Sequence, residues 1–131
     1  MMRTIITLVF IGSTLVACSP KKKEPDPKKP PTDTLASYTG LYSDRYPDGR
    51  LQMQGELVKG QREGVWLFYY ATGTIQSRCD YHLGKREGRS VVYYPSGRSR
   101  YEGNYRQDTA VGPWIFYHEN GSIMKTVQRG G

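Results

Sequence analysis

Apolar positions beyond residue 37 come in two alternating textures. Residues 65–70 read Val-Trp-Leu-Phe-Tyr-Tyr, an unbroken apolar and aromatic run between Gly64 and Gly73. Successive side chains of a strand point to opposite faces, so this segment would be apolar on both. Trp66, Phe68 and Tyr70 share one face, and Val65, Leu67 and Tyr69 the other. The next segment alternates instead, with Ile75, Ser77, Cys79 and Tyr81 against Gln76, Arg78, Asp80 and His82. Period two with one polar face predicts a half-buried antiparallel strand. Leu51, Met53, Gly55 and Leu57 repeat that alternation against Gln52, Gln54 and Glu56, and Tyr101, Gly103 and Tyr105 against Arg100, Glu102 and Asn104.

The two textures recur together at a fixed interval. Gly49, Gly73, Gly97 and Gly121 are 24 residues apart, and so are Gly40, Gly64, Gly88 and Gly112. Tyr42, Trp66, Ser90 and Trp114 fall in one column, and Tyr46, Tyr70, Tyr94 and His118 in another. A sustained period of this length marks a repeat architecture. The units are 40–63, 64–87, 88–111 and an incomplete 112–131, each with two strand-like halves. Between the halves stand Tyr46-Pro47-Asp48-Gly49, Tyr94-Pro95-Ser96-Gly97 and His118-Glu119-Asn120-Gly121. These fit type I turns closed by a glycine in the left-handed conformation of a bulge, so Gly49, Gly73, Gly97 and Gly121 read as structural. In the loops between units a second glycine recurs, with Asp108 in its place in unit three. The expected fold is all-β: an elongated, twisted antiparallel meander of about four 24-residue hairpins.

Composition divides the chain before this array. Residues 1–17 carry Arg3 followed by the apolar run Ile5–Ala17 and end on Leu15-Val16-Ala17-Cys18. This has the form of a bacterial lipoprotein signal, too short for a comfortable permanent span. Cleavage would leave Cys18 as the lipid-bearing residue, palmitate being a typical acyl group. Two or three acyl chains at about 0.8 kcal/mol per buried methylene anchor durably. Residues 18–37 form a lipidated cysteine and a Pro/Lys-rich linker expected to stay disordered. Fully stretched, the segment after Cys18 reaches about 60 Å. The expected place is the bacterial cell envelope, on the periplasmic side of the outer membrane if the source has two. Residues 38–131 are the repeat domain. Their thirteen basic and nine acidic side chains leave +4, interspersed and mild, which argues against a nucleic-acid partner. Cys79 would then be the one remaining thiol, either a small buried residue or one that pairs between chains.

The segments "GVWLFYYATGTI", "YHLGKREG", "SVVYYPSG" and "GPWIFYHENGSI" resemble the bacterial variant of MORN repeats, as found in proteins of the YwqK-type antitoxin-like family. The resemblance covers about residues 40–125 and implies the hairpin-repeat fold. Unit one departs from the pattern at Asp44 and Arg45, as a cap would, and unit three at Arg89 and Ser90.

Candidate chemistry is sparse. His82 lies on a polar strand face and His118 in a turn column. No paired carboxylates, nucleophile–base spacing or CxxC accompanies them, and the glycines follow turns with no helix after them. No catalytic residue, metal or cofactor is expected. A single-layer sheet of eight short strands has no second layer to cover both faces of its apolar strands, so one set is expected to remain partly exposed. Exposed apolar surface with Tyr and Arg at its rim marks interaction sites, and Trp66, Phe68, Tyr70, Tyr94, Trp114 and Phe116 are the expected partner-binding residues. The expected function is a non-enzymatic, lipid-anchored module that binds a protein or peptide. A structural lipoprotein that forms homo-oligomers through its sheet is the alternative. The resemblance implies a third reading, neutralisation of a toxin by contact, which an export signal opposes for a cytoplasmic toxin.

Overall fold

The computed structural model describes residues 34–130. The signal segment, Cys18 and the linker up to Asp33 lie outside the described residues. Eight strands follow one another in chain order within one antiparallel sheet: β1 (Gly40–Arg45), β2 (Leu51–Val58), β3 (Gln61–Tyr69), β4 (Ile75–His82), β5 (Lys85–Tyr93), β6 (Ser99–Arg106), β7 (Thr109–Tyr117) and β8 (Ile123–Arg129). This is the meander that the 24-residue period predicts. A 3-10 turn at Leu35–Ser37 precedes β1, within residues that composition assigns to the linker. Leu35 borders a hollow with Leu57, Gly60 and Trp66, and the backbone of Leu35 and Ala36 lies against Gly60, whose N–H donates to the Tyr38 carbonyl.

Within each hairpin the turn is the expected one. Gly49, Gly73, Gly97 and Gly121 have φ of 91°, 96°, 88° and 93°. Their N–H groups donate to the carbonyl three residues earlier at 2.8–2.9 Å. Pairing shifts register just before each turn, between Asp44 and Arg45 and at the three equivalent places. Only glycine enters that backbone region without steric cost.

Successive hairpins are joined by two-residue turns, Lys59-Gly60, Leu83-Gly84 and Gln107-Asp108, with positive φ at both positions, as in type I′ turns. Left-handed backbone costs a residue with a Cβ about 1–2 kcal/mol, and the turns offset this by docking on the preceding repeat. Lys59, Leu83 and Gln107 donate their N–H to Thr39 Oγ1, Glu63 Oε2 and Glu87 Oε2. Gly60, Gly84 and Asp108 donate theirs to the carbonyls of Tyr38, Arg62 and Arg86. A third link comes from the tyrosine column. The hydroxyls of Tyr46, Tyr70 and Tyr94 donate to the carbonyls of Tyr69, Tyr93 and Tyr117 at 2.7–2.8 Å.

A second irregularity positions the core. Gln54–Glu56 faces the longer stretch Glu63–Leu67, and the same mismatch recurs between β4 and β5 and between β6 and β7. The extra residues bulge at Gly64, Gly88 and Gly112. This carries the Trp66 ring over Gly55 and the Trp114 ring over Gly103. A Cβ on either glycine would lie well inside contact distance of the indole. Between these sites the same pair of columns holds Cys79 and Ser90, both buried. Large over absent and small over small fill similar space, which accounts for the serine that interrupts the aromatic column. Tyr42 and Tyr81 flank Trp66, and Tyr101 and Tyr105 flank Trp114, at centroid distances of 5.1–6.3 Å.

The opposite face shows how a strand with two apolar sides is accommodated. Pairing lays out the row Ser43, Gln54, Leu67, Arg78, Val91, Glu102, Ile115, Thr126 across the sheet. Each aliphatic residue of an odd strand stands between polar side chains of even strands. Those side chains flank it, and their ends are held by polar partners: Gln54 Nε2 donates to the Tyr69 hydroxyl, Arg78 pairs with Asp80, and Glu102 meets Arg89 and the Tyr117 hydroxyl. Val91, between Arg78 and Glu102, is only 1% exposed. The expected exposure of one apolar set is therefore corrected at mid-sheet and persists near β1, where Leu41 is 70% and Val65 44% exposed.

Candidate functional site

Burial divides the six expected contact residues. Trp66 and Trp114 are 1% and 5% exposed, so neither ring is available to a partner in this fold. Their neighbours lock them in place. The Arg62 guanidinium lies 4.6 Å from the Trp66 ring and also spans Tyr81 and Phe68, contacts worth about 0.5–2 kcal/mol each. Trp66 Nε1 donates to the Glu56 carbonyl at 3.1 Å, whereas Trp114 Nε1 is buried without an acceptor among the described residues. Tyr70 and Tyr94 are half-buried, and their hydroxyls hold adjacent repeats together. Phe68 and Phe116 remain, half-buried and on one face.

These two phenylalanines belong to a longer row that the sequence reading did not assemble. Cross-strand pairing brings Met53, Phe68, Ser77, Val92, Tyr101, Phe116 and Lys125 into line from β2 to β8. Every member but Lys125 is half-buried. Tyr101 and Phe116 stack at 5.5 Å, and the Lys125 ammonium lies 5.0 Å from the Phe116 ring. The row is a strip of apolar surface crossing the sheet, with Arg62 and Lys125 toward its ends.

On the other face a groove of about 550 Å³ opens among β1, β2 and β3. Leu41, Leu51, Val65 and Leu67 give it an apolar lining, Glu56 and Glu63 stand at one end, and Arg45 lies toward the other. None of these was among the expected contact residues. Their one visible sign in the sequence is that Leu41 and Val65 occupy a column that turns to Arg89 and Pro113 further on.

Ion pairs brace the rest of the sheet. Arg89 Nη2 meets Glu102 Oε2 at 2.6 Å, Arg86 Nε meets Asp108 Oδ1 at 2.9 Å, and His82 Nδ1 meets Glu63 Oε1 at 2.8 Å. The His82 hydrogen bond, and then the Leu83 N–H, hold the Glu63 carboxyl below its ordinary value. Arg89 and the Tyr117 hydroxyl do so for Glu102, and Arg86 for Asp108. Burial pushes the Cys79 thiol up, which agrees with a small core residue and not a reactive thiol.

Groups depressed by folding stabilise above the ordinary carboxylate range, near 4, and that stability is lost as pH falls through their lowered values. Thermal melts should therefore give a midpoint independent of pH from 7 to about 5 and a falling one below about 4. The variant Glu63→Gln/Glu102→Gln/Asp108→Asn should show a shallower fall. An unchanged slope would remove these three carboxylates as the cause.

The described residues hold no cluster of three or more His, Cys, Asp or Glu placed to bind a metal. Residues 62–82, 86–107 and 110–128 match the family model for the MORN repeat variant, each segment corresponding to one hairpin from β3 to β8. Curated proteins give no match. The chain thus carries three MORN-variant repeats, and β1–β2 forms a further hairpin of the same plan.

Proposed function

We propose that this protein is a non-enzymatic binding module of the bacterial cell envelope, held at the membrane by lipid on Cys18, whose repeat sheet engages a protein or peptide. MORN repeats are compatible with a protein- or membrane-binding module. The observation that carries the reading is the half-buried row Met53, Phe68, Val92, Tyr101 and Phe116. The row is apolar on both sides of Ser77, and the fold brings it together without fully covering it; such surfaces mark interaction sites. The contact set is accordingly narrowed to Phe68 and Phe116 with Tyr101 and Val92 between them. Placement on the periplasmic side of the outer membrane, if the source has two membranes, rests on the resemblance of the first residues to a lipoprotein signal and belongs to the same proposal.

Site-specific photocrosslinking in cells tests it. A photoreactive residue at 68 or 116 in the full chain should yield a discrete adduct with another protein, and one at 76 should not. Cys18→Ser should move the protein out of the membrane fraction. No adduct from either phenylalanine position would refute the binding reading.

Self-association is the second reading, and one observation favours it. Ile123 and Met124 on β8 are 63% and 49% exposed. Adducts solely with a second copy, together with a concentration-dependent mass in sedimentation, would select it. Toxin neutralisation by the same face is a third reading and rests on resemblance alone.

A further inference from the structure

The groove among β1–β3 has a counterpart in the same molecule. A smaller hollow of about 190 Å³ is bordered by Arg89, Glu102, Asn104, Pro113 and Ile115. Each of these stands 48 residues, two repeats, after a groove residue: Leu41, Gln54, Glu56, Val65 and Leu67. The two are one site seen twice in the repeat array. They differ in what fills them. In the second copy Arg89 extends across the hollow to Glu102, which also accepts from the Tyr117 hydroxyl. In the first, Leu41 stands where Arg89 would, and about 550 Å³ is left open.

One carboxylate of the first copy also lacks a partner among the described residues. Glu56 and Glu63 sit directly opposite each other on β2 and β3, an arrangement that destabilises a sheet. Glu63 is engaged by His82 and the Leu83 N–H. The Glu56 side chain is exposed, with no hydrogen bond or ion pair among the described residues. Beside it, Leu41 and Val65 present aliphatic surface, and Arg45 lies toward the far end with Leu51. The site therefore has an acidic end, an apolar floor and a basic end.

We infer that this groove takes an extended segment of a partner protein that seats a Lys or Arg against Glu56 and Glu63 and adjacent aliphatic side chains on Leu41, Val65 and Leu67. In the second copy Arg89 meets Glu102, whose place Gln54 takes in the first. The partner's cation is therefore received one pair further along, by Glu56 and Glu63, with its stem along Leu41 and Val65. Arg45 fixes the direction, since it repels a cation at the other end. The inference deepens the binding-module reading but uses the face opposite to Phe68 and Phe116, so either can fail without the other.

The test uses the full chain with methyl-labelled Leu and Val, followed by NMR. The probes are three capped hexapeptides: alternating Leu-Lys, alternating Leu-Glu, and all-Lys. The Leu-Lys peptide should shift the Leu41, Val65 and Leu67 methyls saturably. Glu56→Gln should weaken it about tenfold, in keeping with loss of one charge-assisted contact. That substitution leaves the turn bonded by Glu63 intact, and an unchanged circular dichroism spectrum confirms it. Equal binding of the Leu-Glu peptide, equal binding of the all-Lys peptide, or indifference to Glu56→Gln would each overturn the inference. So would groove shifts that depend on protein concentration with no peptide present, which would assign the groove to a second copy.

Discussion

Trp66→Ala is expected to take a large share of the repeat sheet's stability and not merely to weaken surface contacts. Truncating a buried tryptophan costs about 3–5 kcal/mol, against a total of about 5–15 kcal/mol for a domain of this size. The loss should be near the top of that range at Trp66. Its ring is 1% exposed, fills the space over Gly55, and carries the Arg62 guanidinium on its outer side. Removal also leaves the Glu56 carbonyl without the indole donor. Trp114→Ala should cost less, because its Nε1 has no acceptor to lose among the described residues. Phenylalanine separates the contributions. Trp66→Phe sacrifices a hydrogen bond worth about 1 kcal/mol that Trp114→Phe does not. Urea denaturation followed by far-ultraviolet circular dichroism reads all four. If Trp66→Ala kept its midpoint, the tryptophan would be surface after all, and the core described above would be wrong.

The elements of the fold were legible because their causes are local. A turn that needs a left-handed glycine announces it at Gly49, Gly73, Gly97 and Gly121. Period-two polarity announces β2, β4 and β6. Asp108 could be placed in its turn because Asp tolerates the backbone that Gly60 and Gly84 adopt. Packing was less legible because it depends on register between strands. The mismatch opposite Gly64, Gly88 and Gly112 moves each tryptophan over the preceding glycine. Nothing in a single strand shows this, although Gly55 with Trp66 and Gly103 with Trp114, each eleven residues apart, carried the signal. The same cause displaced the site. In isolation β3 is apolar on both faces and calls for an external cover on each. Flanked by Gln54 and Arg78, Leu67 is half-buried, and the groove opens toward β1, with a leucine where an arginine stands later.

Gly103→Ala should lower the thermal midpoint by about 10 °C. Overpacking a well-filled core costs about 1–3 kcal/mol, and each kcal/mol moves a domain of this size by about 4–8 °C. The cause is space alone, since Gly103 has no positive φ and its added Cβ would meet the Trp114 ring. Gly73 makes the opposite case: its φ is 96°, and a Cβ there would meet nothing within 4 Å. Both substitutions destabilise, so the size of the effect does not distinguish the mechanisms; coupling to Trp114 does. With Trp114→Leu the ring is gone, and Gly103→Ala should add less than about 0.5 kcal/mol, leaving an interaction energy within the 0.5–3 kcal/mol usual for touching residues. Gly73→Ala should cost the same in either background. The cycle can be run in trimethylamine N-oxide, which favours burial and keeps the weaker members folded. Additivity at Gly103 would mean that the ring does not rest on it, and the bulge at Gly112 would then lose its role in carrying Trp114 into the core.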